Sequence, residues 1–581
     1  MGWPWQFVSL ASEAKHTRHE ILSQFALYSQ LSVLIPIIGY QAYRLGAWLL
    51  MKRERRGVAY MALEEPSGDT RPADKSIGGI ARRWRVWKWW LNDEVRPSWG
   101  SRGRWIAAVI WSLWLLFLCI FRTGNGTFAP HLILLGSLLT SSLDYFHLTK
   151  RFGSVAAAQV PFHYLLAMRT RFSPMITLFR TSHEQLILWH RTSGNIIMVF
   201  LLIHGALYLN YYIISGTLIE HLQGLHASTG VVAVSLGAAL AGTSLDAIRK
   251  WSYRVFFFCH LAIGLGVMPI LFFHAKPLRV YTIEALTLFI LDRILRRLDT
   301  VTEPVSITQI PHTDLMKIQV PITSKKLGRF EFNPGQHVYV AMPSDKSSKI
   351  SKRLLSNPFT VAKVSSTGIT LVLRALQGPT TQSLWLHARR FHSKPLLSIE
   401  GPYGCPINIP DLITNFDRIL LVAGGIGATF TWPLYGALRE QLEAESRDPD
   451  QLNFIWAVRS SAEAGWISDS EEQAFSEDPN IQIYLTRHHD LAESLDHDLS
   501  DEGIEMDDMH TNPGLIGGIK PRIGRPFLKD IVEQIFSINS GERVAVLFCG
   551  PQGLGRELRT HVGGWAAQGR DVMWHEESFG M

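Results

Sequence analysis

The sequence predicts a multi-domain fold: an α-helical transmembrane bundle of about seven helices, then a small antiparallel β-barrel and an α/β domain. A chain of 581 residues is too long for a single hydrophobic core. Hydrophobic residues make up 47% of it and charged residues only 18%, which is a membrane composition blended with a soluble one. Long apolar runs alternate with basic linkers up to about residue 299, and the remainder reads as soluble α/β sequence. We therefore expect domains at 1–299, 300–410 and 411–581.

Seven apolar segments predict the helices of the bundle, since a bilayer takes roughly 20 apolar residues per helix. These segments lie at 25–51, 105–122, 153–168, 184–209, 227–245, 253–273 and 279–296. The stretch 131–143 is shorter, and we expect it to be interfacial or re-entrant. Because the N-terminus lacks the pattern of a signal peptide, its first apolar run is expected to be a span.

The basic residues of the first half predict the orientation of the bundle. They concentrate in the loops 52–104, 168–180, 246–254 and 292–297. All four loops lie in the cytosol if the N-terminus is outside, which also places the C-terminal half in the cytosol and the glycosylation sequon at Asn125 outside. The net charge of +7 then faces an anionic leaflet, so membrane lipid is the expected partner and no nucleic acid is needed. We expect an integral, multi-pass protein of the plasma membrane.

The cysteines indicate a reducing compartment for the soluble half. The sequence has four of them, scattered and without paired or CxxC spacing. This distribution argues against a disulfide framework or a zinc site.

Two of the apolar segments each begin and end with a histidine at the same spacing. The pairs are His190 with His204 and His260 with His274, each fourteen residues apart. In an α-helix this step rises about 21 Å and returns to within roughly 40° of the starting face. Because helices four and six run parallel, we expect His190 to face His260 and His204 to face His274.

Four transmembrane imidazoles in two matched layers suit two b-type haems, each with neutral Nε2 ligands on both axial positions. A single transmembrane histidine is more often a packing residue. The repeated spacing of His190, His204, His260 and His274, which we call the histidine frame, favours ligands. The Glu-x-x-His pairs of a di-iron bundle are absent. Four further histidines lack such an arrangement and are expected to be structural or interfacial: His163, His183, His221 and His226.

A family resemblance becomes visible where strand-like segments begin, after residue 300. The stretch "RLLSNPFTVAKV" (353–364), together with "RFGSVAAAQVPFHYLLAMR" and the paired histidines, resembles the membrane ferric-chelate reductases, which are relatives of the superoxide-producing NADPH oxidases. The resemblance covers nearly the whole chain. It implies a ferredoxin-reductase-like barrel that binds FAD, followed by an α/β domain that binds NAD(P)H.

Two stretches of the barrel are expected to bind the flavin. Where the family has His-Pro-Phe-Thr this sequence starts with asparagine, and the phenylalanine is expected to face the isoalloxazine while polar groups bond its edge. The stretch "LRALQGPTTQSL" resembles the family's pyrophosphate loop. The alternative is an ordinary turn that binds no phosphate. The residues implied are Asn357, Pro358, Phe359, Thr360, Arg374, Gly378, Thr380 and Thr381.

The segment "DRILLVAGGIGATFTWPLYGALREQL" predicts a strand, a glycine turn and a helix, whose N-terminus can hold a diphosphate. An arginine after the strand "NFIWAV" could pair with a 2′-phosphate and so favour NADPH over NADH. The Cys-Gly-Pro turn resembles the family's nicotinamide-side loop, and the alternative is a strand end with a small buried thiol. The nucleotide-binding candidates are Gly424, Gly425, Gly427, Thr429, Arg459, Gly550 and Pro551, and the catalytic candidates are Cys549 and Phe579.

The resemblance implies transmembrane electron transfer. NADPH would reduce FAD in the cytosol, and electrons would pass through an inner haem at His190 and His260 and an outer haem at His204 and His274 to a ferric or cupric chelate. A superoxide-generating oxidase is the related alternative, disfavoured by the extra N-terminal span and the lack of an EF-hand pattern. A membrane transporter with a nucleotide-sensing half is the unrelated one, and it should show neither haem nor flavin spectra. A metal permease or oxidase partner is left open, and the acidic stretch 488–515 is expected to be a disordered insertion.

The C-terminus "HEESFGM" is similar to the family's terminal segment, in which an aromatic residue covers the flavin ring, and Phe579 takes that position with Glu577 nearby. Replacing Phe579 with alanine should lower KM and kcat together, because nicotinamide no longer has to displace a ring and oxidised nucleotide leaves more slowly. Steady-state kinetics with NADPH and NADH measure both constants. An unchanged KM with reduced thermal stability would instead identify Phe579 as a packing residue.

Overall fold

The structure is a computed structural model of the chain, and it describes residues 5–7, 12–61, 75–96, 99–123, 143–330, 334–342, 356–390, 394–404, 409–467, 478–486, 516, 519–538 and 541–577. The chain divides into two compact units. The helical unit comprises Met1–Asp69 and Arg96–Leu298, and the sheet unit comprises Thr70–Val95 and Asp299–Met581. The segment Thr70–Val95 therefore belongs with the C-terminal half, although it lies between apolar helices in the sequence.

Helices dominate the first half of the chain. Their bounds are α1 Ser12–Leu31, α2 Leu34–Met61, α3 Lys75–Asn92, α4 Arg102–Ile120, α5 Tyr145–Ala158, α6 Val160–Ala167, α7 Pro174–Phe179, α8 His183–Ile214, α9 Leu218–Leu222, α10 Leu225–Thr243, α11 Asp246–Trp251, α12 Tyr253–His274 and α13 Leu278–Asp299. A short parallel pair joins β1 (Trp5–Gln6) to β2 (Leu143–Asp144).

Five helices of the described residues are long and apolar enough to cross a membrane. They are Ser12–Leu49, which runs through α1 and into α2, and then α4, α8, α10 and α12. Two other predicted spans also fall on helices. The segment 153–168 covers parts of α5 and α6, which are short and separated at Gln159, and 279–296 lies in α13, which carries many charged side chains. A count of seven spans stays a prediction, and 131–143 lies almost wholly outside the described residues.

The two helices that carry the histidine frame are α8 and α12. Each begins at a serine whose hydroxyl accepts a hydrogen bond from a backbone N–H in the first turn: Ser182 from Gln185 and Ser252 from Val255. Helix α10 packs against both α8 and α12, and α5 packs against α8. Helices α8 and α12 therefore share α10 as a neighbour, and α5 is a second neighbour of α8.

The first part of the sheet unit is a curled, seven-stranded antiparallel sheet, which confirms the predicted barrel-like domain. The strand order is β3-β9-β6-β7-β8-β5-β4. The strands are β3 Thr300–Pro304, β4 Ser306–Gln309, β5 Leu315–Pro321, β6 His337–Ala341, β7 Asn357–Ser365, β8 Gly368–Arg374 and β9 Leu396–Tyr403. Two helices accompany them, α14 Ser324–Leu327 and α15 Pro379–Ala388. Alternate side chains of the strands fill one apolar core.

The second part is a six-stranded parallel sheet, which confirms the predicted α/β domain. Its strands are β10 Arg418–Gly424, β11 Leu452–Val458, β12 Ile481–Leu485, β13 Arg522–Ile523, β14 Val544–Cys549 and β15 Val572–Glu577. The order β13-β12-β11-β10-β14-β15 reverses between β10 and β14. Ligands of such sheets bind at the carboxyl ends of the strands beside this reversal. The accompanying helices are α16 Ile409–Asn415, α17 Ala428–Ala444, α18 Leu528–Ser537 and α19 Gln552–Ala567.

Glycine at position 427 is required by space at this reversal. A Cβ there would collide with the carbonyl oxygen of Cys549, although the backbone angles of Gly427 (φ −58°, ψ −18°) suit any residue. Gly553 in α19 differs, because a Cβ there would meet nothing within 4 Å. The turn after β10 and the turn after β14 are thus packed backbone to backbone.

We expect Gly427→Ala to destabilise the sheet unit by about 1–3 kcal/mol, because backbone must shift to admit the methyl group. The control Gly553→Ala should be neutral or slightly stabilising, since alanine is the better helix former. The midpoint of thermal unfolding of the purified full chain, followed by tryptophan fluorescence, measures both. Equal midpoints would contradict the close packing of the two turns.

Candidate functional site

The first pair of frame histidines is held from its Nδ1 side. Nδ1 of His190 lies 3.0 Å from the carbonyl oxygen of His163 in α6. Nδ1 of His260 lies 3.0 Å from the hydroxyl oxygen of Ser244, which follows α10. In both rings Nδ1 is therefore engaged with an oxygen, and Nε2 is the nitrogen left for another partner.

The second pair repeats this arrangement. Nδ1 of His204 lies 2.7 Å from the carbonyl oxygen of Thr149 in α5, and Nδ1 of His274 lies 2.9 Å from that of His226 in α10. The hydroxyl oxygen of Thr229 is a further neighbour of the His274 Nδ1, at 3.3 Å. Histidines that bind metals through Nε2 typically donate Nδ1–H to such oxygens, which fixes the tautomer and the ring orientation.

The rings face one another in the two predicted pairs. The ring centres of His190 and His260 are 6.2 Å apart, and those of His204 and His274 are 6.4 Å apart. A ring centre lies about 3 Å from a metal bound at one of its nitrogens, so two rings on opposite sides of one metal have centres about 6 Å apart. Both pairs fit this separation, and their role as ligands stays a prediction.

Glycines make room for the rings of the second pair. A Cβ at Gly153 in α5 would lie 2.7 Å from Cε1 of His204, and one at Gly230 in α10 would lie 2.9 Å from Cε1 of His274. An alanine at either position would require the imidazole to move. The sequence analysis missed both glycines, because nothing in their local sequence distinguishes them from other glycines of apolar helices.

Two histidines that the sequence analysis set aside contact the frame. The ring of His163 stacks on that of His190 at 3.8 Å, and its Nδ1 lies 2.9 Å from the hydroxyl oxygen of Ser193. His226 and His274 are linked in both directions through Nδ1 and carbonyl oxygen. These stacking and hydrogen-bond contacts are of the kind expected of structural histidines, and that role of His163 and His226 stays a prediction. His183 and His221 contact the carbonyl oxygens of Met168 and Thr217, outside the frame.

The frame offers two imidazoles per layer. Within the described parts of the chain there is no group of three or more His, Cys, Asp or Glu side chains that could hold a metal ion. Two protein nitrogens on opposite sides suit a metal whose remaining ligands come from a macrocycle, as in a haem with two axial histidines. The donor set thus fits a haem in each layer.

The predicted flavin loop forms the start of β7. Asn357, Pro358 and Phe359 are partly exposed, and Thr360 is buried. Phe359 packs against the apolar core of the curled sheet. On the second loop the hydroxyl of Thr381 donates to the carbonyl oxygens of Leu376 and Gly378, at 2.8 and 2.9 Å. That hydroxyl shapes the turn before α15, where Thr380 also lies, and flavin binding by these residues stays a prediction.

Two arginines assigned to different phosphates lie in one ion-pair network. Arg374 donates to Asp314 at 3.0 Å and to Glu463 at 2.9 Å. Arg459 lies 3.2 Å from Glu463 and 3.8 Å from Asp314. The side chain of Glu463 is only 7% exposed, whereas those of Arg459 and Asp314 are 41% and 44% exposed. Glu463 is four residues from Arg459, but it is 89 residues from Arg374, and Asp314 is 60 residues from Arg374. The sequence therefore does not show that one network joins the two arginines.

The predicted nucleotide turns meet at the reversal of the parallel sheet. Gly424 and Gly550 are in close backbone contact, and a Cβ at Gly550 would lie 2.9 Å from the Cα of Gly424. Gly425 has a φ of +54°, and its carbonyl accepts a hydrogen bond from the indole of Trp456 at 3.0 Å. The left-handed turn requires glycine at that position. Pro551 caps α19 beside it, so the structure brings both predicted loops to one edge of the sheet.

Thr429 and Cys549 are both turned into the protein at this edge. The hydroxyl of Thr429 donates to the carbonyl of Ile426 at 2.9 Å. Burial, together with the carboxylates of Glu577 and Glu576, raises the pKa of the Cys549 thiol to about 12. The thiol is therefore neutral at physiological pH, and it could act in a nicotinamide site only as a neutral group.

Three features named from the sequence lie outside the described residues. They are Phe579, the sequon at Asn125 and the acidic stretch 488–515. Glu577 ends β15 and lies 3.3 Å from the ring of His575.

Three protein families match successive parts of the chain. Residues 152–271 match the ferric reductase like transmembrane component, residues 302–407 an FAD-binding domain, and residues 416–563 the ferric reductase NAD binding domain. The first match contains His190, His204 and His260 and ends just before His274. The second match contains β7 and β8, and the third contains the sheet reversal. Helix α3 lies outside all three.

Individual relatives are similar over most of this chain. A probable metalloreductase of Meyerozyma guilliermondii is 28% identical over 413 residues, which cover 70% of this chain and 78% of that protein. The ferric/cupric reductase transmembrane component 2 of Saccharomyces cerevisiae is 25% identical, covering 70% of this chain and 57% of that protein. The match therefore spans little more than half of the yeast relative. A flavohaemoglobin structure from Malassezia yamatoensis is 16% identical with a TM-score of 0.34, covering 73% of this chain and 96% of that one.

Removing the charge of Arg459, as in Arg459→Gln, should raise the KM for NADPH much more than that for NADH. A charge-assisted hydrogen bond to a 2′-phosphate contributes roughly 1.5–3 kcal/mol, and only NADPH has that phosphate. The matched control is Arg439→Gln, an arginine of the same domain that pairs with Glu443 and Asp478. Steady-state kinetics with both nucleotides measure the effect. Equal increases for NADPH and NADH would leave Arg459 as a structural partner of Glu463.

Proposed function

Because the chain belongs to the membrane ferric reductase family of oxidoreductases, we propose that it is a transmembrane metalloreductase. It takes electrons from NADPH on the cytosolic side and delivers them to a ferric or cupric chelate on the other side of the plasma membrane. The family matches support an NAD(P)H-binding and an FAD-binding domain. The haems, the cupric substrate and a role in metal uptake belong to the proposal.

The observation that carries the proposal is the arrangement of the four frame histidines. Each has an oxygen at Nδ1, which leaves Nε2 for another partner, and the ring centres of the two pairs are 6.2 and 6.4 Å apart. Residues that can ionise are rare inside membranes and are usually functional. Two such pairs on the same two helices, about 21 Å apart along the helix axis, give a chain of redox sites that crosses the bilayer.

The chain's own residues supply position and exclude water. When bound, the flavin accepts a hydride and releases single electrons, and a haem pair carries single electrons through an apolar medium. Helices α5, α6 and α10 orient the imidazoles through their oxygens. At the sheet reversal, the glycine turns after β10 and β14 leave backbone N–H groups at a helix N-terminus for a diphosphate.

The fold of the sheet unit also supports the proposed orientation. Helix α3 comes from the loop between the first two apolar helices, yet it packs against α19 of the α/β domain. That loop and the C-terminal half must then lie on the same side of the membrane. The positive-inside rule assigns the basic loop to the cytosol. The C-terminal half is then proposed to lie in the cytosol as well.

The acceptor follows from the ligand set. If His190 with His260 and His204 with His274 hold the haems, these histidines would occupy the positions that oxygen would need in order to bind the iron, and the haems would supply electron transfer without binding the acceptor. Metal chelates, which accept an electron without entering the site, are therefore the proposed substrates. The names of the yeast relatives, which are ferric and cupric reductases, point to the same acceptors.

The direct test measures reduction of ferric and cupric chelates by the purified chain in lipid vesicles, with NADPH outside and the chelate inside. Activity should persist without oxygen and should be insensitive to superoxide dismutase. Loss of activity under either condition would make the chain a superoxide-generating oxidase. A protein that carries neither haem nor flavin spectra would be a transporter and not a reductase.

The ligand assignment predicts the ratio of haem to flavin in purified protein. His204→Ala and His274→Ala should each lower the ratio from about two to about one, because one axial ligand of one layer is lost while the flavin domain is untouched. Gly153→Ala should also lower it, because the methyl group displaces the ring of His204. Absorbance spectra of the haems and the flavin give the ratio.

The matched control is Gly266→Ala in α12, where a Cβ would meet nothing within 4 Å. It makes the same substitution in a helix of the same unit and should keep the ratio of wild type. A ratio that stays at two in His204→Ala and His274→Ala would rule out these histidines as ligands.

A further inference from the structure

Helix α3 is attached to the α/β domain by one of its faces. Trp89 lies edge to face with Trp574 of β15, with ring centres 6.3 Å apart. The guanidinium of Arg559 lies over both rings, 4.7 Å from Trp89 and 5.4 Å from Trp574, and it donates to the carbonyl of Asn92 at 3.0 Å. A Cβ at Gly563 in α19 would lie 3.3 Å from Trp89, so the glycine makes room for the indole.

Two arginines in the middle of α3 fix the same face. Arg82 donates to the carbonyl of Gln568 at 3.0 Å, and Arg85 donates to that of Gly569 at 3.4 Å. Arg85 also lies 3.6 Å from the carboxylate of Asp571. Arg82, Arg85 and Trp89 fall within about 60° of one another around a helix, so α3 docks along one narrow stripe.

The opposite face of α3 is aromatic and basic. Trp84, Trp87 and Trp90 are 47%, 54% and 44% exposed. They follow one another at steps of three residues, so they span about 120° of the helix, centred roughly opposite the docking stripe. Arg83 and Lys88 are exposed beside them. The helix contains five basic residues and no acidic one.

The sequence on both sides keeps this face near a bilayer. Helix α2, which continues the first apolar span, ends at Met61, and α4, the next span, begins at Arg102. Only 93–101 separate α3 from α4, and nine residues reach at most about 30 Å. A row of tryptophans beside basic side chains is the composition of helices that lie in the interface of an anionic membrane.

We propose that α3 is an interfacial helix, which inserts Trp84, Trp87 and Trp90 among the headgroups of an anionic leaflet while its other face holds the α/β domain. The occupant of the aromatic face is phospholipid of negative charge, since Arg83 and Lys88 complement it. The proposal does not rest on the proposed electron transfer. It gives α3 a role as the mechanical link between the nucleotide-binding domain and the membrane surface.

Photo-crosslinking of the full chain in lipid nanodiscs tests the proposal. The photoreactive amino acid benzoylphenylalanine replaces Trp87, which keeps an aromatic side chain at an exposed position. In nanodiscs of phosphatidylcholine and phosphatidylserine, mass spectrometry should find lipid adducts at position 87. The control carries the same amino acid in place of Lys529, an exposed residue of α18 in the same unit, and should give about tenfold fewer lipid adducts.

Charge is tested with Arg83→Glu and Lys88→Glu together, which should reduce the phosphatidylserine adducts at position 87 several-fold and leave haem and flavin content unchanged. Crosslinks that join position 87 to another part of this chain or to a second copy of it would overturn the proposal. Lipid adducts at position 87 that are no more frequent than those at position 529 would also overturn it. Equal yields in nanodiscs of phosphatidylcholine alone would overturn the assignment to anionic lipid.

Discussion

The membrane half of this protein depends on how four imidazoles are oriented by oxygens from neighbouring helices. The oxygens come from α5, α6, α10 and the serine that follows α10, whereas the rings come from α8 and α12. Each imidazole of α8 and α12 therefore takes its orientation only when the helix that supplies its oxygen has packed against it. Helix packing engages Nδ1 of each ring with an oxygen, and it leaves Nε2 as the nitrogen available to another partner.

The burial of four imidazoles in an apolar bundle also argues against a role for these histidines in packing alone. A polar nitrogen without a partner in an apolar environment costs several kcal/mol, and four such nitrogens in matched layers would strain any fold that used them only for packing. The proposed metal ligation would remove this cost at all four positions at once. The stacking of His163 on His190 and the glycines beside His204 and His274 show that space around the rings is also controlled closely.

The pairing of the histidines could be predicted because helical period is a local property of sequence. Fourteen residues return to the same face whatever surrounds them, and the five most apolar helices and both soluble domains follow from equally local patterns. The oxygens of Thr149 and Ser244, the space at Gly153 and the contact of Glu463 with Arg374 could not be predicted, since each depends on which distant segments meet. Helix α3 was missed for a related reason. Its basic residues indicate a cytosolic loop, and only the contacts with the residues after α19 show that two of the five are used for docking.

The network around Glu463 joins the curled sheet to the parallel sheet of the sheet unit. Arg374 follows the curled sheet and Arg459 follows a strand of the parallel sheet, yet both guanidinium groups share Glu463 and Asp314. Two cations and two anions leave the network neutral, so a phosphate that approaches either arginine must compete with a carboxylate. Buried Glu463 has little freedom to leave, whereas Asp314 is far more exposed and can turn to solvent at small cost. If a phosphate binds at either arginine, as proposed, Asp314 would be the group that yields, and buried Glu463 would keep both guanidinium groups in place.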